Sequence, residues 1–88
     1  MGSLIQPPWK IDRAWDVEPV PGSDRDYAKT FVLSNGKDEV QTTVEYASRA
    51  NDAGPAAAER IVRTFLAGPD TPPRRILVAR DGSFSAIE

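Results

Sequence analysis

The 88-residue chain contains no histidine and no cysteine. Without histidine it lacks the one side chain whose ordinary pKa lies near neutral pH, the usual proton shuttle of enzymes. Without cysteine it has no thiolate nucleophile, no disulfide and none of the soft ligands of zinc, copper and iron–sulfur sites. Long apolar runs are missing too. Nothing approaches the roughly 20 residues that span a bilayer. The opening Met1-Gly2-Ser3-Leu4-Ile5 has neither the cationic flank nor the apolar stretch of a secretory signal. A cytoplasmic location and no membrane partner are the expectation. Nor is there an excess of charge of one sign. Eleven basic and 13 acidic residues leave a net charge of -2, too even for a surface built around nucleic acid. The six glycines are scattered singly, with no G-x-G-x-x-G or Walker pattern to cradle a phosphate.

Catalytic constellations are absent in the same way. Ser34, Ser48, Ser83 and Ser85 have no histidine to activate them, and Lys10, Lys29 and Lys37 sit in no G-x-S-x-G or S-x-x-K context. The acidic pairs Asp12/Asp16, Asp24/Asp26 and Asp38/Glu39 fall near turns or chain ends. There carboxylates are solvated rather than pushed apart in pKa as acid–base catalysis requires. Asp24-Arg25-Asp26 alternates like the start of a calcium loop but lacks the rest of one. The expectation is therefore no enzyme, no catalytic residue, no metal and no cofactor.

What is present is a pattern of short elements punctuated by eight prolines. Pro7-Pro8 closes an N-terminal stretch, residues 1–8, expected to be a flexible tail. Ile11, Arg13, Trp15 and Val17 share one parity and read as a weak strand. Pro19, Pro21 and Gly22-Ser23-Asp24 mark a loop. Asn35-Gly36 then signals a hairpin with a two-residue type I′ turn. That turn sets Phe31 opposite Val40 and Tyr27 opposite Val44. It gathers Tyr27, Phe31, Leu33, Val40, Val44 and Tyr46 on one side. Ala28, Thr30, Val32, Glu39, Gln41, Thr43 and Glu45 fall on the other. Lys29 and Asp38 interrupt the apolar side; Lys29 can reach past the sheet and Asp38 sits beside the turn.

A helix follows. Asp52 or Gly54 can cap it, and Pro55 suits its first position. Ala58, Ile61, Val62, Phe65 and Leu66 recur at helical spacing, and Gly68-Pro69 can end it. The spacing predicts a helix over about 55–67 whose apolar stripe packs on the hairpin. Past a proline-rich linker, residues 74–80 read as a strand. Its run Ile76-Leu77-Val78-Ala79 suits burial on both faces. Asp81-Gly82 signals a two-residue hairpin turn, with residues 83–87 returning. The order β-β-β-α-β-(β) predicts one small α+β domain over residues 1–88: an antiparallel sheet of four or five strands with one helix on one face.

Three features bear on partners. Trp9 and Trp15 lie in or beside the weakest-patterned segment, and tryptophan serves either a thin core or an interface anchor. The basic residues of the second half are all arginine. Arg60 and Arg63 share a helix face, and Arg74, Arg75 and Arg80 flank the late strand. If they converge they can hold phosphates; otherwise they are ordinary solvated charges. Pro69-Asp70-Thr71-Pro72-Pro73-Arg74 fits a polyproline ligand pattern but serves equally as a stiff linker. The favoured expectation is a non-catalytic protein-interaction or assembly module. It would use Trp9, Trp15 and the first strand to take a protein partner or a copy of itself. The less favoured alternative is a nucleic-acid-binding domain using the five arginines.

Overall fold

A computed structural model describes residues 9–19, 21–48, 54–66 and 71–87. The expected tail over residues 1–8, the cap candidate Asp52 and the Gly68-Pro69 helix stop lie outside the described residues. The elements are β1 (Lys10–Val17), β2 (Arg25–Ser34), β3 (Glu39–Ala47), α1 (Pro55–Thr64), β4 (Arg75–Val78) and β5 (Phe84–Ile87). The five strands form one sheet in sequence order, so β1 and β5 are its edges. The class is α+β, as the element order implies. One pairing departs from expectation. β1–β2, β2–β3 and β4–β5 are antiparallel, but β4 runs parallel to β3, with Val44 beside Ile76 and Tyr46 beside Val78. Parallel neighbours need a long crossover, and the segment holding α1 supplies it. The helix therefore lies over the sheet face that it crosses.

The helix starts where Gly54, at φ 141°, forms the N-cap without a side-chain capping bond and Pro55 takes the first turn. The helix runs shorter than the 55–67 expected. It ends at Thr64, and the amides of Phe65 and Leu66 close onto the Val62 and Arg63 carbonyls. The Thr64 hydroxyl adds a bond to the Ile61 carbonyl at 2.7 Å. The predicted stripe points inward all the same. Ala57, Ala58, Ile61 and Val62 are buried, and they join Phe31, Leu33, Val44, Tyr46, Ile76 and Val78 in one apolar cluster. Phe65 and Leu66 are half-buried against it.

The hairpin faces are those read from the sequence, but the register is not. Leu33 stands opposite Val40, Phe31 opposite Thr42, and Tyr27 opposite Tyr46. The connection is longer than two residues. Asn35 turns its side chain inward, its amide oxygen accepting the backbone N–H groups of Lys37 and Asp38 at 2.9 and 2.7 Å. Gly36 still takes a left-handed φ of 88°, but the Asn35 side chain organises a longer loop in place of the two-residue type I′ turn. It also takes Asp38 out of the strand. Because the slip is an even number of residues, every side chain keeps its face. The second hairpin shows the same difference. Ala79 and Ser83 are joined by a backbone bond at 2.7 Å, so Arg80, Asp81 and Gly82 all belong to the loop. Gly82 takes φ 89° there, the left-handed residue of a three-residue turn.

Strand β1 contains a bulge between Ile11 and Arg13. It splits the parity set seen in the sequence. Ile11, opposite Leu33, packs on the core, whereas Arg13, Trp15 and Val17 stand opposite Val32, Thr30 and Ala28 on the other face.

Candidate functional site

The two faces of the sheet differ in kind. One carries α1. Over the other, no element lies among the described residues. Side chains directly opposite on neighbouring strands share a face. That rule assigns to the open face Trp15 and Val17 of β1, then Ala28, Thr30 and Val32 of β2. Arg13 of β1, Gln41, Thr43 and Glu45 of β3, Arg75 and Leu77 of β4, and Ser85 and Ile87 of β5 share it.

The polar centre of this face is Glu45. Arg75 binds it in fork geometry, Nε to Oε2 at 2.9 Å and Nη2 to Oε1 at 3.2 Å. Arg25 adds Nε to Oε1 at 3.3 Å and also pairs with Asp24. Both carboxylate oxygens are occupied. The Arg75 guanidinium, more than the opposing effect of partial burial, holds Glu45 below its ordinary pKa of 4.5. A carboxylate locked in this way braces strands β2, β3 and β4; it is not a proton donor at neutral pH. Beside it, Thr30 and Thr43 share a hydroxyl hydrogen bond of 2.9 Å. Val17, Pro19, Ala28 and Glu45 border a hollow of about 140 Å³, well under the usual size of a small-molecule pocket.

Of the two tryptophans, only Trp15 is at the surface. It is 41% exposed, whereas Trp9 is 7% exposed and belongs to the core cluster. The two are not brought together as one patch. On the helix-covered side of the same strand, Asp16 accepts a 2.7 Å bond from the Tyr27 hydroxyl. Burial first and this carboxylate second push the Tyr27 phenol well above its ordinary pKa.

The five arginines are divided. Arg60 and Arg63 are exposed on α1, and Arg63 pairs with Glu59 at 2.9 Å one turn away. Arg75 is on the opposite side of the sheet, committed to Glu45. Arg74 precedes β4 and Arg80 follows it, so they sit at opposite ends of that strand. The sheet thus separates the helix pair from Arg75. The polyproline candidate falls partly outside the described residues. Within them, the Pro73 carbonyl accepts the Thr42 hydroxyl at 2.7 Å and the Arg74 carbonyl accepts the Thr43 amide at 2.9 Å. These bonds tie that segment to β3. Among the described residues, no group of three or more acidic side chains is placed to hold a metal ion. No described helix is long and apolar enough to cross a membrane.

The sequence reading missed the Glu45–Arg75–Arg25 cluster. The parity of Glu45 placed it on the polar side, but its main partner comes from a strand whose parallel pairing has no local signature. No family model matches this chain, and no curated protein or solved structure does either.

Proposed function

We infer that this domain is a non-catalytic protein-interaction module, and that its working surface is the open sheet face around Trp15. A single observation carries the reading: Trp15 stands 41% exposed on an edge strand, over a sheet face that no described element covers. A large rigid side chain there adds little to the fold. It offers a partner an anchor of high contact area at low entropic cost. Thr30 and Val32 on the neighbouring strand are themselves buried, so the contact offered there is the indole itself. The rim is polar and already internally paired through Glu45 and Arg75. An exposed aromatic anchor beside a satisfied polar rim suits a protein-binding patch. The occupant that fits is a segment of a partner protein seated over the open face, and not added to the β1 edge, with an apolar side chain against the indole.

The test is capture with the intact chain as bait, followed by reconstitution with the purified partner. Trp15→Ala is compared at a temperature where its melt shows it folded. Weakening of the reconstituted complex by about tenfold or more is the expected result for an anchor residue. Equal affinity of the two baits, or no protein retained by either, overturns the reading.

A further inference from the structure

We propose that a second copy of this chain adds to the sheet through β5, giving a two-fold dimer with one continuous ten-stranded sheet. This surface is at the opposite edge from Trp15 and stands on its own observations. The two edges are defended differently. β1 carries Lys10, Asp12, Arg13 and Asp16 and a bulge, the features that discourage strand addition. β5 reads Phe84-Ser85-Ala86-Ile87, with no charge, proline or bulge, and Phe84 is 39% exposed.

The backbone specifies how such a copy must dock. Ala79 donates to the Ser83 carbonyl, so Ser83 points its backbone groups toward β4. In an antiparallel ladder this direction alternates. Ser85 and Ile87 therefore also face β4, and Phe84 and Ala86 turn their N–H and C=O groups outward. A copy arriving antiparallel must match outward residues to outward residues. One register uses both residues of both strands: Phe84 opposite Ala86 of the copy, and Ala86 opposite its Phe84. That register sets Ser85 opposite itself on the symmetry axis. It also places a large ring beside a small methyl, on the same face as Val78 and α1. Phe84 already packs edge-on against Phe65 at 5.8 Å, so the methyl of the copy joins an existing apolar contact. Both helices end on one side of the joined sheet.

The experiment is sedimentation of the full chain from about 10 μM to about 1 mM, the span in which an interface this small dissociates. The wild type is expected to pass from monomer to dimer. Ala86→Pro removes an outward donor and no bond to β4, a change an edge strand tolerates. It is expected to raise the dissociation constant at least about tenfold with an unchanged melting temperature. A second measurement uses the absence of native cysteine. Ser85→Cys places two thiols on the axis at a spacing of about 4.5 Å between Cα atoms, inside the disulfide range. Under mild oxidation it is expected to cross-link at least about ten times faster than Lys37→Cys in the distant β2–β3 loop. A monomer throughout the range, an Ala86→Pro dimer as tight as the wild type, or equal cross-linking of the two cysteine variants overturns the proposal. Loss of the dimer in Trp15→Ala but not in Ala86→Pro also overturns it, because the copy would then sit on the open face.

Discussion

The same two strands build both faces of this sheet, yet the faces are made differently. On the covered side, alternate residues of β2 and β3 are large: Phe31, Leu33, Val44 and Tyr46. On the open side the intervening residues are Ala28, Thr30, Val32, Thr43 and Glu45. Ala28, Thr30 and Val32 are still nearly inaccessible, at 3%, 6% and 1%. No described element lies over them. Low accessibility on a sheet therefore has two physical meanings. Under a helix it means close packing with no room to relax. On the open face it arises with no described helix above it, and substitutions there test how tightly the space is filled.

Two valines separate these meanings. Val44 is fully buried on the covered side and Val32 is almost so on the open side. Val44→Ala removes the transfer energy of its methyl groups and leaves a cavity beneath α1, for a loss of about 2–3 kcal/mol. Val32→Ala loses only the transfer part, about 1–1.5 kcal/mol, because the flanking chains settle into the space. Urea unfolding of both variants measures the difference. Equal losses would mean that the open face is packed as tightly as the covered one.

A smaller effect is expected where the covered face meets the crossover. Thr42 is fully buried and its hydroxyl holds the Pro73 carbonyl at 2.7 Å. Thr42→Val keeps the shape and strands that carbonyl, costing about 1–2 kcal/mol. Thr43→Val on the half-buried open side loses the hydroxyl bond to Thr30 and leaves no backbone carbonyl without a partner, so its loss is expected to stay below about 1 kcal/mol. A ratio near one in denaturant midpoints would contradict the contrast.

The legibility of the fold follows the same line. Periodicity reports which face a residue takes, so the helix stripe and both sides of the hairpin could be read from Ile61, Val62, Phe31 and Val44. What periodicity does not carry is register. The Asn35 side chain made a longer loop in place of a two-residue turn, and Arg80 joined Asp81 and Gly82 as the third residue of the second loop. The bulge at Asp12 divided Ile11 from Trp15 without any mark in the residue pattern, since a bulge changes the count on one strand only. The parallel alignment of β4 was hidden for a different reason. Its apolar run states burial but not direction, and the crossover that dictates direction is a property of the whole chain. The site inherits these gaps: Trp15 was visible as a candidate, whereas the clamp on Glu45 depends on the β3–β4 pairing.

The clamp gives the open face its own pH signature. Glu45 has a folded pKa below its unfolded value of 4.5. A group depressed in this way stabilises the fold above the unfolded pKa, and the contribution disappears as pH falls through the folded pKa. With one partner at the surface, its size is up to about 1 kcal/mol. Wild-type stability is expected to fall between neutral pH and pH values below 4.5, and Glu45→Gln to flatten part of that slope. An unchanged slope in the variant would show that the clamp is electrostatically idle. On the covered side the Tyr27 phenol is pushed upward, away from this range.

The smallest expected effect comes from the two indoles, and it probes the comparison most directly. Trp9 is enclosed by the core and Trp15 lies on the open face. Trp15→Phe keeps an aromatic ring on an edge strand and gives up only area that solvent already touches in part. The change in unfolding free energy is expected to stay within about 0.5 kcal/mol. The spectrum should change far more than the stability. The variant retains Trp9 alone, so emission shifts to the blue and quenching by acrylamide falls sharply. In the wild type the quenchable fraction belongs to Trp15. If Trp15→Phe leaves quenching unchanged, the indole is sheltered, and a layer covers the face over which no described element lies. The same measurement on a complex with a protein partner sharpens the point: protection of the quenchable fraction places the partner on Trp15, while an unprotected Trp15 places it elsewhere.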